Sequence, residues 1–94
     1  MRVVREKQLR EFARRFPKAD TPLANWADVV AHSAWKNPAD LRRTFASTDF
    51  VGETTVFNIG GNKYRLIAYV HYRRQIVFVK HVLTHDEYDK GKWK

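Results

Sequence analysis

Lys63 and Arg65 stand two residues apart, just after a Gly60-Gly61-Asn62 turn signal, in a stretch where apolar residues alternate. Side chains two apart share one face of a strand, so an ammonium and a guanidinium are expected side by side. Two readings fit. The charges can mark a solvated sheet face, or they can form a face that grips a phosphate, with Arg65 as the forked donor. The two glycines are not a P-loop, because GxxxxGK(S/T) is missing and no helical pattern follows. They read as a hairpin turn, with Asn62 as its polar member.

Histidine occurs at positions 32, 71, 81 and 85, and cysteine is absent. The lack of cysteine removes disulfides, thiol nucleophiles and thiolate metal sites together. The histidines do not fall at metal-ligand spacings either, so no metal site and no cofactor is expected. His85 stands at the end of a strand-like run, followed by Asp86, Glu87, Tyr88 and Lys90. Histidine is the side chain that exchanges a proton near neutral pH. A tyrosine three residues on can stack a base or donate a hydrogen bond. The competing reading is a capped strand end running into a solvated tail, loosened by Gly91.

These residues need a scaffold, and the period of the apolar residues supplies one. Leu9, Phe12, Ala13 and Phe16 mark one stripe of a first helix, stopped by Pro17. Met1 to Val4 reads as a brief strand or as the first turn of that helix. Thr21-Pro22 gives a cap and a first-turn proline for a second helix, with Leu23, Trp26, Ala27, Val30 and Ala34 on its stripe. Asn37-Pro38 repeats the signal for a short third helix carrying Leu41 and Phe45. From Phe50 the period becomes two. Strands are predicted at Thr54–Ile59, at Lys63–Tyr72 and at Gln75–Thr84, with Arg73-Arg74 in the connection. On the second strand Tyr64, Leu66, Ala68, Val70 and Tyr72 should pack on the helices. The fold class is α+β: N-terminal helices packed on a small twisted antiparallel sheet of about three strands.

Length and charge bound the function. Ninety-four residues allow one domain, spanning 1–94, with 44% hydrophobic and 14% aromatic residues to build a core. No apolar run approaches a membrane span, and the charged start does not read as a signal peptide, so a soluble cytoplasmic domain is expected. The net charge is +8. Residues 1–18 carry seven basic and two acidic side chains, and residues 62–94 carry eight and three, around an acidic middle. Two basic blocks, one of them rich in aromatic residues, suit single-stranded RNA.

Three segments, in order, make a more specific signal. WKNPADLRRTF at 35–45, GGNKYRLIAYVHY at 60–72 and IVFVKHVLTHDEYDKGKW at 76–93 resemble the HigB family of toxin–antitoxin toxins, within the RelE-like group. The similarity covers nearly the whole chain. It implies helices packed on a small twisted antiparallel sheet and a ribosome-dependent mRNA endoribonuclease neutralised by a cognate antitoxin. By resemblance, Arg65 matches the strand arginine used on the scissile phosphate. Lys63 matches a nearby basic residue, and Tyr88 the C-terminal aromatic that stacks or positions substrate. Where RelE proteins place an arginine late in the last strand, this sequence has Thr84-His85, and His85 is taken as the acid.

RNA carries its own nucleophile, the 2′-hydroxyl, so neither a protein nucleophile nor a metal is required. In-line attack would leave a 2′,3′-cyclic phosphate. The catalytic set is therefore Lys63, Arg65, His85 and Tyr88, with Asn62, His71, Arg73, Arg74 and Lys90 as RNA contacts. The basic N-terminal helix is assigned to ribosomal RNA on the 70S ribosome. The expected protein partner is a helix-turn-helix antitoxin, and operator DNA is expected to be bound only through that complex. The alternative from a different class is a non-catalytic RNA- or ribosome-binding module of similar fold, for which the same charges and rings suffice.

Overall fold

The computed structural model describes all residues, 1–94. Strand β1 (Arg2–Val4) leads into helix α1 (Lys7–Arg15), a single 3-10 turn (Pro17–Ala19), helix α2 (Asp20–Ala31) and helix α3 (Pro38–Thr44). Four strands follow: β2 (Asp49–Val51), β3 (Thr54–Ile59), β4 (Tyr64–His71) and β5 (Ile76–Thr84). A short helix α4 (His85–Asp89) comes last. No helix is long and apolar enough to cross a membrane.

The five strands form one sheet in the order β1-β5-β4-β3-β2. The run from β2 to β5 is an antiparallel meander. β1 lies parallel to β5, with Arg2 beside Ile76, so the sheet is mixed rather than purely antiparallel and has five strands rather than three. The extra strands are only three residues each, too short for a period-two pattern to declare itself. Their existence is decided by partners elsewhere in the chain.

One face of the sheet packs on the helices. Tyr64, Leu66, Ala68 and Val70 of β4 join Leu9 and Phe12 of α1 and Leu23, Trp26 and Val30 of α2 in a single core cluster. The alternation on β4 therefore points as expected, and the α1 stripe is buried at Leu9 and Phe12. Aromatic edges lock the layers together. Phe12 meets Tyr64 at 5.5 Å between ring centroids, while Trp26 and Phe45 each meet Phe57 at 5.3 Å in edge-on geometry.

Helix ends differ in how well they follow local signals. Asn37 caps α3 as expected, its side chain accepting from the Asp40 N–H at 2.9 Å. Thr21 is not the cap of α2. The 3-10 turn runs straight into the helix, so α2 starts at Asp20 and Pro22 sits inside its first turn, where its missing N–H costs nothing. α2 also stops at Ala31, leaving Ala34 in the connection to α3.

Tyr72, just beyond β4, packs against the core with its hydroxyl buried and unpaired by any hydrogen bond. Burial pushes its phenol above the ordinary 10.0. Folding thus favours the neutral ring, a contribution complete below that ordinary value and lost as pH rises through the higher native one. Tyr72→Phe removes the orphaned hydroxyl. It is expected to be neutral or stabilising by about 1 kcal/mol at pH 7. It should also blunt the fall in melting temperature above about pH 10, measured by thermal unfolding across pH.

Candidate active site

The β4–β5 ladder gathers most of the candidate residues at one end of the sheet. Tyr64 pairs with Thr84 and Arg65 with Leu83, so the start of β4 lies against the end of β5. The pairing continues one step past the strands, where the His85 N–H donates to the Lys63 carbonyl at 3.1 Å. That bond sets His85 beside the Gly60–Lys63 turn. Gly60 and Gly61 have φ of 62° and 72°, the left-handed geometry that makes glycine the fitting residue there. β4 begins at Tyr64, so Lys63 belongs to the exposed turn and does not share a strand face with Arg65 as its spacing suggests.

Residues 85–89 are not a strand end with a loose tail. They form α4, closed by a capping box in which Thr84 Oγ1 accepts from the Glu87 N–H at 3.2 Å. The Glu87 carboxylate in turn accepts from the Thr84 N–H at 3.0 Å. Asp86 and Glu87 add negative charge in the first turn, which suits the positive end of a helix. The helix brings Asp89 to His85, with Oδ2 3.2 Å from Nδ1. A carboxylate at Nδ1 fixes the ring and leaves Nε2 as the nitrogen available for proton exchange.

Tyr88, one turn along, lies over Arg65. The guanidinium carbon is 5.6 Å from the centre of the phenol ring, a cation–π distance. On the ring's side Trp93 stacks nearly parallel, at 5.0 Å and 14°, and its indole N–H donates to the Tyr88 carbonyl at 2.9 Å. Arg65 itself, half-buried, donates to the Tyr64 carbonyl at 3.2 Å. Neither Arg65 nor Lys63 takes part in any of the four ion pairs of the molecule. The guanidinium is thus held by a carbonyl and a ring, with its charge uncompensated and open to an anion.

Asn62, in the turn, and Lys90, the exposed C-cap of α4, border this cluster. His71, Arg73 and Arg74 do not. They lie at the far end of β4, about 20 Å along the strand from Arg65. There the Arg74 N–H donates to His71 Nδ1 at 3.2 Å. No group of three or more His, Cys, Asp and Glu converges in the geometry of a metal site. Asp89 and Trp93 belong to the cluster without having been singled out from sequence. Asp89 is four residues from His85, the spacing that faces a helical neighbour, but that relation is legible only once a helix is placed there.

The cap, more than α4's five residues, should hold this cluster together. Thr84→Ala is expected to cost α4 about 1 kcal/mol. Amide hydrogen exchange should quicken at 86–90 while the core amides and the melting temperature hardly change.

A sequence profile of the HigB toxin family, described as the RelE-like toxic component of a toxin–antitoxin system, matches residues 7–91. The chain is 33% identical over 92 residues to the mRNA interferase toxin HigB of Escherichia coli K12, covering 95% of this chain and 88% of that protein. It is equally similar to the mRNA interferase HigB of Shigella flexneri. It is 30% identical over 93 residues to the mRNA interferase HigB of Escherichia coli O6:H1, covering 96% and 90%. The four-helix, five-strand architecture agrees with that likeness, and this chain belongs to the HigB family of RelE-like toxins of toxin–antitoxin systems.

Proposed function

We propose that this chain is a metal-independent endoribonuclease that cuts messenger RNA on the ribosome and is restrained by a cognate antitoxin. The observation that carries the reading is the uncompensated Arg65 guanidinium against the Tyr88 ring, at the end of the sheet where the Lys63 carbonyl accepts from the His85 N–H. The relatives named mRNA interferase support the substrate class. Membership of a toxin–antitoxin family supports the partner.

In this reading the substrate's 2′-hydroxyl gives up its proton to water and attacks the adjacent phosphorus, and the bond to the 5′-oxygen breaks. The products are a 2′,3′-cyclic phosphate and a 5′-hydroxyl. Charge builds on the phosphate oxygens as the phosphorane forms. Arg65, with Lys63 in the adjoining turn, offsets that charge, a role worth on the order of 10²–10³-fold per well-placed donor. The leaving 5′-oxygen needs a proton, and His85 donates it from Nε2 while Asp89 holds Nδ1. General acid catalysis of this kind contributes about 10²–10⁴-fold. Tyr88 positions the nucleotide by stacking or by its hydroxyl, and Asn62 and Lys90 hold neighbouring phosphates. None of these roles calls for a metal ion.

The exposed cations of α1, among them Arg10, Arg14 and Arg15, are assigned to ribosomal RNA. A ribosome that presents an ordered message would relieve the protein of part of the positioning. The antitoxin is expected to be a helix-turn-helix protein that covers basic surface, with operator DNA bound only by the complex. The site of action is then the cytoplasm.

The test is induced expression with growth followed and mRNA ends mapped. Wild type should arrest growth and create new 5′ ends within coding regions. Arrest without new ends would favour a non-catalytic ribosome-binding module, and neither effect would end the proposal. Arg65→Ala should lower cleavage by at least about 10²-fold, and His85→Ala by a similar factor. If both variants cut as well as wild type, the site is elsewhere. A chelator selective for transition metals, with ribosomes kept intact, should leave cleavage unchanged.

A further inference from the structure

The face of the sheet turned away from the helices continues well beyond the cluster at Arg65. Arg65, Ile67, Tyr69 and His71 alternate along it on β4. Two cavities open on this face. The first, about 280 Å³, lies between the β2–β3 hairpin and Trp93, over Ile67, Lys80 and His81. The second, about 380 Å³, is lined by Tyr69, His71, Arg74, Ile76, Phe78 and Lys80. Lys80 borders both, so the two lie side by side on this face. Neither cavity is lined by an acidic residue.

The position of Lys80 has a structural cause. Ile67 pairs with His81 and Ala68 with Val79, so Lys80 is the additional residue of a β-bulge. A bulge lets two successive side chains fall on one side of the sheet. That is how Lys80 and His81 both reach a face where strict alternation would leave one. Tyr69 is the other unusual residue. It is 40% exposed, among the few large apolar side chains left open to solvent. Its cross-strand neighbour Phe78 is covered by the Arg5 guanidinium at 4.6 Å, which leaves the Tyr69 ring as the free aromatic surface.

An exposed ring flanked by cations, in a cavity that no carboxylate lines, matches a ligand in which flat bases alternate with negative phosphates. The surface is a sheet face rather than a strand edge, so a peptide has no backbone ladder to join. Tyr69 is four residues from Arg65, about 13 Å along β4, a reach of a few nucleotides. Resting on the reading of Arg65 as the cleavage site, we propose that this outer face is a subsite for single-stranded RNA adjoining the cleaved phosphate. Tyr69 stacks a nucleobase there, and Lys80 and Arg74 hold the flanking phosphates. His71 and Arg74, at the far end of β4, thereby take part in the same substrate path without taking part in the chemistry.

The test uses the full chain and a fluorescent single-stranded oligoribonucleotide of mixed sequence whose 2′-hydroxyls are methylated, so that it binds without being cut. Tyr69→Ala should weaken binding about 5- to 100-fold, the range of one lost base–aromatic stack. Tyr69→Phe, which keeps the ring, should stay within about two-fold of wild type. Lys80→Gln should reduce the slope of log affinity against log salt by about one. In cleavage of ribosome-bound message the same variants should raise KM and spare kcat, while melting temperatures stay unchanged. If wild type binds and cuts but Tyr69→Ala matches it in affinity and KM, the subsite is refuted and the cleavage site stands. A wild type that neither binds nor cuts would mean that the ribonuclease reading itself has failed, and the subsite with it. Variants that keep their RNA parameters yet escape the antitoxin would assign the patch to an acidic protein partner and overturn the proposal.

Discussion

The pairing of β4 with β5 is the constraint on which the remaining structure rests. On the side toward the helices it aligns Leu66 with Val82, Ala68 with Val79 and Val70 with Val77, and these rows supply much of the core. On the other side the same register sets Arg65 against Leu83 and leads, one step later, to the bond between His85 and the Lys63 carbonyl. A slip of one residue would turn the apolar row outward and Arg65 inward. Core and candidate site are thus specified by one register, and neither can drift without the other.

The two faces divide the labour. Helices and aromatic edges cover one face with a dry cluster in which nearly every large residue is buried. The other face carries the charge, and it is covered only in part, by α4 and the stacked Tyr88–Trp93 pair. Because the cations there are not inserted into ion pairs, the core need not accommodate them and they are free to meet a polyanion. α4 is the joint between the two tasks. Five residues would not hold a helix in water, and the reciprocal bonds of Thr84 and Glu87, with the backbone bond at His85, hold it in place.

Much of this was legible in the chain because the signals are local. The α1 stripe, the Asn37 cap, the glycine turn at 60–61 and the alternation of β4 each depend on neighbours within a few residues. β2 was not legible, since three residues carry no period, and β1 stays open between a strand and a helical turn because its partner β5 lies 74 residues away. α4 is a subtler case. The Thr84-x-x-Glu87 signature of a capping box is present in the sequence. The strand is expected to stop at Thr84, but the polar residues after it read as a solvated tail rather than as a helix. The proximity of Lys63, Arg65, His85 and Tyr88 follows from likeness to a family more than from spacing. The distance of His71, Arg73 and Arg74 from them follows from strand length alone.

The parallel edge formed by β1 has a kinetic consequence. Its hydrogen bonds join Arg2 to Val4 with Ile76 to Phe78, residues 74 positions apart in the chain. Such a contact has high sequence separation, and the loop entropy it must overcome makes it a late event in folding. During synthesis the three N-terminal helices can form before any of β5 has emerged, but the sheet cannot complete its fifth strand and α4 has no ladder to stand on. The candidate catalytic cluster, drawn from residues beyond 62, therefore waits until β5 and α4 have followed the helices into place. A nascent copy in which β5 has yet to emerge would hold its helices without the β4–β5 ladder that brings the cluster together.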